Sequence, residues 1–572
     1  MSAKTDLDYH WEGLSQTTLN FLYDNMTFLE QFVEGVINYS SKYNSMSSIF
    51  YAPENLIGKP SKYPTYGDFP DTYILRSYGK WWLESEAAQP VYMLQEVDPI
   101  PTEDFVIVRF EYSVFPSKVC IYETYNPGAV VRLWGRKFGN PWVLLWKGDP
   151  EICPMVSRKF CPQIRPVKEL INEIRVDFHQ AHLRYHTSID AILLTGYQPK
   201  SLLQMSILDK NFLASFCNVA TNKPSLEYHQ EEDQKDFFGD LPFEIMLHIF
   251  TYLDLKSLCR CAQVSKMWHL ASSDPSLYRG ISFKRYWHKV DNSVIEQYTT
   301  RCNNIKKLDL SWCSTENQIK EVVFVRFLKK SCRMVTHLSL DCCSFIHTLS
   351  LQQIGICKNL TDLRLRNCKS NYKDFGELAQ LNKLIALDLY SSNIVDEELI
   401  SILKSNRNLK YLIIDFCEYL ESLDEVTLVA SLYNSQLVTW SSWKTHSLTA
   451  EGVCHLANCT SLKELDLGWC LILNEPGNCL ERISHGCKDL TRLIISGWRG
   501  ITERHLLPII QSCRHLSQLD LLGVKNVSRD ICDRILKSLP KLKLLDISFC
   551  DLIRMEEVAL WEEQYPYVVI QH

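Results

Sequence analysis

The chain has 572 residues, 46% of them hydrophobic and 22% charged, with a formal net charge of −6 and a pI near 6.3. That length is more than one core supports and predicts several domains. The charge balance excludes a general nucleic-acid binder and a protein held on anionic membranes by basic charge.

No run approaches the roughly 18 apolar residues of a transmembrane helix, so no spanning segment is expected. The first 30 residues set Lys4 against Asp6, Asp8, Glu12, Asp24 and Glu30. Neither an Arg-rich transit peptide nor an apolar signal core is visible there. An intracellular location is expected, with cytoplasm and nucleus open on composition and the mitochondrial outer surface added only by the resemblance given below. The 22 cysteines are read as structural thiols in a reducing compartment, because so many free thiols would scramble in an oxidising one. No C-x-x-C and no paired Cys/His spacing fits a zinc site.

Residues 1–60 read as a helix, roughly Thr17 to Tyr39, followed by a polar stretch. Residues 61–198 carry short alternating runs such as Phe105–Phe110, Lys118–Tyr122, Val130–Leu133, Val143–Trp146, Ile174–Phe178 and Ile189–Leu194. Turn residues such as Asn126-Pro127-Gly128 separate them, which predicts an antiparallel β-sandwich. Trp81, Trp82, Trp134, Trp142 and Trp146 supply large core and rim side chains. Residues 199–236 lack periodicity, end in the acidic run from Glu231 to Asp236, and read as a linker.

Residues 237–283 predict a small helical module. Asp240-Leu241-Pro242 opens a helix with an apolar face of Ile245, Ile249 and Leu253, and Asp254 can cap a second helix carrying Leu258, Cys261, Ala262 and Trp268. Three helices in so short a span leave apolar surface for a partner. The Leu-Pro-x-Glu-Ile opening, Tyr252-Leu253-Asp254, Val264-Ser265-Lys266, Trp268 and Asp274-Pro275-Ser276-Leu277 resemble the F-box family. That resemblance implies docking of a Skp-type adaptor and, through it, a cullin scaffold and RING subunit. Matched onto this chain, the implied adaptor contacts are Leu241, Pro242, Ile245, Ile249, Leu253, Leu258, Val264 and Trp268.

From 284 to 572 one pattern, apolar-x-x-apolar-x-apolar, recurs with starts at 305, 335, 360, 384, 409, 437, 462, 490, 516 and 542. This period is the leucine-rich-repeat signature, an α/β solenoid with one strand and one helix per turn. Twelve cysteines fall in two fixed slots of the repeat. Cys313, Cys343, Cys368, Cys417, Cys470 and Cys550 lie three residues after the motif, and Cys302, Cys332, Cys357, Cys459, Cys487 and Cys513 three before it. Each reads as a small buried hydrophobe.

Alternating residues are expected on the concave face. The central position is Asp309, Asp388, Asp466, Asp520 and Asp546 in five repeats, either ordinary solvated residues or an acidic column reading a basic or polar target segment. Arg364, Arg366 and Tyr390 share that face. In the sixth repeat Trp440 takes a core position and Trp443 follows, either core packing or an exposed binding hot spot. The run Tyr567–Gln571 reads as a capping strand.

An F-box followed by cysteine-bearing repeats resembles the F-box and leucine-rich-repeat proteins, which are substrate receptors of SCF-type ubiquitin ligases. In the N-terminal half, Ser45-Met46-Ser47, Gly67-Asp68-Phe69, Tyr78-Gly79-x-Trp81-Trp82 and Glu123-Thr124-Tyr125-x-Pro127-Gly128 resemble a mitochondria-associated member of that family. This implies a discoidin-like (galactose-binding-like) sandwich and control of mitophagy receptors by ubiquitination and proteasomal degradation. No nucleophile elbow, H-E-x-x-H, P-loop or Gly-rich phosphate loop is present, so no catalytic residue, metal or cofactor is expected.

Overall fold

The computed structural model describes residues 26–44, 49–76, 102–183, 185–200, 241–301, 304–313, 319–331, 333–371, 373–471 and 475–572. The chain forms two compact units, with most of residues 1–237 in the first and 238–572 in the second. Trp81, Trp82, Cys302, Cys332 and the stretch 201–236 lie outside the described residues.

In the first unit, β1 (Met26–Phe32), β2 (Gly35–Tyr39), β3 (Tyr73–Ile74), β4 (Asp104–Tyr125), β5 (Val130–Arg136), β6 (Val143–Lys147), β7 (Arg158–Phe160), β8 (Ile171–Phe178) and β9 (Ser188–Pro199) pair antiparallel throughout. The long β4 serves two sheets. Asp104–Arg109 pairs with β2 and β8, and after an irregular step Phe115–Tyr125 pairs with β9. Val106, Val108 and Phe110 from one half meet Val119, Ile121, Ile192 and Leu194 of the other sheet in one core.

The helix expected over Thr17–Tyr39 is a correction. Residues 26–39 form β1 and β2, while 17–25 lie outside the described residues. Pairing of Met26–Phe32 along β9, from Met26↔Pro199 to Phe32↔Leu193, outweighs a weak local preference. The charged positions of β8 are also buried, and each has a charged partner. Glu173 lies 2.7 Å from both Arg109 and Arg136, and Arg175 lies 2.7 Å from Asp177, which also accepts from Trp134 Nε1 at 2.9 Å.

The cysteine reading needs two corrections. Cys120 and Cys161 form a disulfide across β4 and β7. The repeat cysteines do more than fill space. Cys343, Cys368, Cys417 and Cys470 donate to the carbonyls of Leu310, Leu340, Leu389 and Ser442, at 3.2, 3.0, 3.2 and 2.9 Å. Where the slot holds another residue, Thr445 Oγ1 reaches the Ile414 carbonyl at 3.1 Å and Trp498 Nε1 the Leu467 carbonyl at 2.8 Å. In most repeats the slot therefore holds a buried donor for a backbone acceptor left over after the strand, whereas Val524 fills it with an apolar side chain. Burial pushes the thiols of Cys417 and Cys550 up to about 12, so they are protonated and unreactive. Such thiols do not exchange, and their number says nothing about the redox compartment.

In the second unit, three short helices, α1 (Phe243–Phe250), α2 (Leu255–Cys261) and α3 (Lys266–Ser272), precede a solenoid whose strands join one parallel sheet, twelve-stranded among the described residues. Each strand is three residues long, from Gly280–Ser282 to Val569–Gln571. Their central residues stack in register, Leu308 on Leu338 and Leu363, and onward to Trp440, Leu465 and Ile570, all buried. Two residues past each motif the backbone turns left-handed at Trp312, Cys342, Asn367, Ser391, Phe416, Lys444, Trp469, Gly497, Gly523 and Phe549. There the N–H donates to the next repeat, as from Trp312 to the Asp341 carbonyl at 2.8 Å and from Ser391 to the Asp415 carbonyl at 2.8 Å. Glycine is required at one of these positions, because a Cβ on Gly497 would lie 2.5 Å from the Trp469 ring.

A non-glycine residue in this conformation is strained by about 1 kcal/mol. Ser391→Gly is expected to raise the unfolding free energy of the solenoid by up to about that much, read by urea denaturation; a loss of stability would contradict this. With a disulfide-exchange reagent, the exposed Cys259 is expected to react in the native chain while Cys417, Cys470 and Cys550 react only after unfolding. Mass mapping of labelled peptides checks both.

Candidate interaction surfaces

In the helical module, Pro242 opens α1, where its missing N–H is harmless. Asp254 Oδ1 accepts from the Ser257 N–H at 2.8 Å to cap α2, and Ser265 Oγ accepts from the Trp268 N–H at 3.2 Å to cap α3. The inward face of α1 is Met246 and Phe250, both 1% exposed, and the Phe250 ring packs edge-on against Trp268 at 5.4 Å. The apolar face expected as Ile245, Ile249 and Leu253 is therefore not what the module buries. Ile245 is 48% and Ile249 36% exposed, because the helix turns its bulkier Met and Phe into the small core.

Of the residues implied as adaptor contacts, Pro242, Ile245, Ile249 and Val264 are exposed, and Leu241, Leu253 and Trp268 are half-buried. Leu258 is fully buried; it lies inside the module and is unavailable to a partner. Tyr252, Met267 and Leu270, absent from the expected set, are exposed large apolar residues. Ile245, Ile249 and Tyr252 follow one another at helical spacings of four and three, and Met267 and Leu270 are three apart, so periodicity could have found them.

On the solenoid, four of the five central aspartates are buried and Asp309 is half-buried. Each carboxylate accepts the backbone N–H two residues on: Asp309 from Ser311 at 2.8 Å, Asp388 from Tyr390 at 3.1 Å, Asp466 from Gly468 at 3.1 Å, Asp520 from Leu522 at 3.0 Å, and Asp546 from Ser548 at 2.9 Å. This fastens the turn after the strand and explains Asp at that position. Asp388, Asp466 and Asp520 are buried, as is Tyr390, while Asp309, Arg364 and Arg366 are half-buried. Trp443 is 1% exposed and packs against Phe416 at a ring distance of 5.7 Å. A Cβ on Gly468 would come within 2.6 Å of Trp443, so the next repeat leaves room for the indole. The exposed-hot-spot alternative for Trp443 is therefore overturned, and core packing stands. Among the described residues, no helix is long and apolar enough to cross a membrane.

A three-helix module with exposed apolar side chains, followed by a solenoid of short parallel strands and helices, defines a helical-module-and-repeat class of protein. The F-box-like family model matches residues 238–284. A bovine (Bos taurus) protein named F-box/LRR-repeat protein 4 is 31% identical over 566 residues, spanning 95% of this chain and 91% of its own length. The chain belongs to the F-box/LRR-repeat protein 4 family. Among solved structures, the yeast Rad7–Elc1 complex matches at a TM-score of 0.33 and 16% identity, covering 65% of this chain and 98% of that one. An internalin from Listeria monocytogenes matches at the same TM-score and identity, covering 49% and 70%. Neither overlap is close enough to add to the fold described above.

Burial, then the neighbouring Asp546, lifts the Asp520 carboxyl to about 8. Its folded value thus lies above the ordinary carboxylate range, so the folded chain holds a proton that the unfolded chain has lost between about pH 4 and 8. Stability from this group is present below that window and is lost as pH rises through it. Asp520→Asn keeps an acceptor for Leu522 and removes the titration. Its stability advantage over the parent is expected to grow from pH 5.5 to pH 8, measured by chemical denaturation; a difference independent of pH would contradict this.

Proposed function

We propose that the chain is the substrate-recognition subunit of an SCF-type (Skp-cullin-F-box) ubiquitin ligase. The observation that carries this is the exposed stripe on α1 and α3: Ile245, Ile249, Tyr252, Val264, Met267 and Leu270. A small helical module that hides Met246, Phe250 and Leu258 yet presents these side chains to solvent is made for a partner's groove. The implied contacts Leu241, Pro242, Leu253 and Trp268 border that stripe, and a Skp-type adaptor is the partner of the family.

The mechanism needs no nucleophile in this chain. The adaptor holds the cullin and its RING subunit, and the repeats hold the target. Ubiquitin transfer then becomes quasi-intramolecular through effective concentration. The chain is a non-catalytic receptor subunit in this reading. Resemblance alone supplies two finer parts, a discoidin-like identity for the N-terminal sheets and mitophagy receptors at the mitochondrial surface as targets, while composition alone supplies a linker over 199–236.

Ile249→Glu with Leu270→Glu is expected to abolish co-purification of a Skp-type adaptor while leaving the melting temperature unchanged, since both side chains face solvent. Leu258→Ala is expected to weaken capture differently, by destabilising the module by about 2–5 kcal/mol. Undiminished adaptor capture by the double Glu variant would sink the proposal.

A further inference from the structure

The two long edges of the solenoid differ in charge. The helix-to-strand edge is formed, in each repeat, by the four positions from two before the motif start to one after it. Across the ten repeats these positions hold eleven Lys or Arg against one acid, Asp489. Arg333, Lys358, Arg407, Lys488 and Arg514 come two before the start, Lys383 and Lys541 one before, and Lys306, Lys410, Lys463 and Lys543 one after. All eleven are exposed. The strand-to-helix edge mixes exposed Lys320, Lys369, Arg499 and Lys525 with a surplus of acids, among them Glu397, Glu418, Glu421, Glu451, Glu475 and Asp551. The net charge of −6 averages the two edges. A chain too acidic overall for an anionic surface thus presents one edge that suits it.

Backbone pairing fixes the row. At the position after the motif start, each N–H from Thr336 to Lys543 donates to the carbonyl of the repeat before it, at 2.7–2.9 Å. Rungs are about 4.8 Å apart, so the row runs about 43 Å from Lys306 to Lys543. Helices are wider than strands, which bends the array within the plane of this edge rather than out of it, and a flat surface can meet the row along its length. Helix C-termini attract cations, and part of the row answers to that. Lys358 Nζ donates to the Gly355 and Gln380 carbonyls at 2.9 and 2.7 Å, and Arg514 Nε to the Gln511 carbonyl at 3.2 Å. That pull fades within the last helical turn and does not account for the four lysines at the strand entrance. Among the described residues, no carboxylate lies within ion-pair distance of Lys306, Arg333, Lys410 or Lys488.

We propose that the helix-to-strand edge of the solenoid docks on an anionic lipid surface. These positions contain no Phe, Tyr or Trp, and eight of the eleven cations are Lys. Protein interfaces are depleted of Lys and anchored by aromatic and Arg side chains, and single-stranded nucleic acid is held on aromatic platforms. Mobile point charges in a long row suit a fluid layer of anionic headgroups, where each Lys or Arg near the surface adds about 1 kcal/mol. The contact needs no adaptor and is independent of the receptor reading.

The test is co-sedimentation of the full-length chain with phosphatidylcholine vesicles, with and without phosphatidylserine. Binding is expected only with phosphatidylserine, and it is expected to weaken as salt rises. Lys306→Glu, Arg333→Glu, Lys410→Glu and Lys488→Glu combined are expected to weaken it about tenfold or more. The charge-matched set Lys320→Glu, Lys369→Glu, Arg499→Glu and Lys525→Glu, on the other edge, is expected to bind as the parent does. Unchanged circular dichroism of both variants separates lost docking from lost folding. No binding to phosphatidylserine vesicles, or equal loss from the two variants, would overturn the proposal. So would a parent that ignores vesicles yet binds a fluorescein-labelled Glu/Ser peptide through these four residues, which would assign the edge to an acidic protein.

Discussion

Three residues of parallel pairing per repeat are too few to hold a solenoid together, and the rest of the fold follows from how the ladder is extended. The chain continues hydrogen bonding past each strand by turning left-handed at one fixed position, where the N–H reaches the next repeat. Two side-chain positions then complete the backbone. The aspartate at the strand end fastens the turn, and the thiol slot satisfies a carbonyl of the preceding repeat. Positions that look like surface chemistry in the sequence are therefore spent on the backbone.

The helical module obeys the opposite constraint. It has too few residues to bury its apolar content, so it hides Met246, Phe250 and Leu258 inside while Asp254 and Ser265 cap two of its helices. The remainder stays outside as a stripe. In the solenoid apolar periodicity marks the core; in the module half of it marks an interface. The receptor reading joins the two, with the stripe recruiting machinery and the sheet holding a target.

The repeat period, the strand positions and the module were legible in the sequence because each depends on local spacing. The β4, β5, β6, β8 and β9 segments were legible for the same reason. The N-terminal strands were not, since Met26–Phe32 becomes a strand only by pairing with β9. The burial of Met246 was not legible because Ile245 and Met246 are equally apolar, and only packing chooses between them. The role of the aspartate column was not legible and that of Trp443 stayed open, because nothing in a one-dimensional pattern says that Asp accepts from the second N–H ahead or that Gly468 makes room for an indole. The Cys120–Cys161 pairing was hidden by twenty other thiols.

The central claim is that an adaptor covers the stripe on α1 and α3. Hydrogen exchange of the full-length chain, with and without a purified Skp-type adaptor, tests it most directly. The account predicts new protection confined to residues 243–252 and 264–270, with exchange in the solenoid unchanged. Protection elsewhere with none on these two segments, or no change at saturating adaptor, would contradict it.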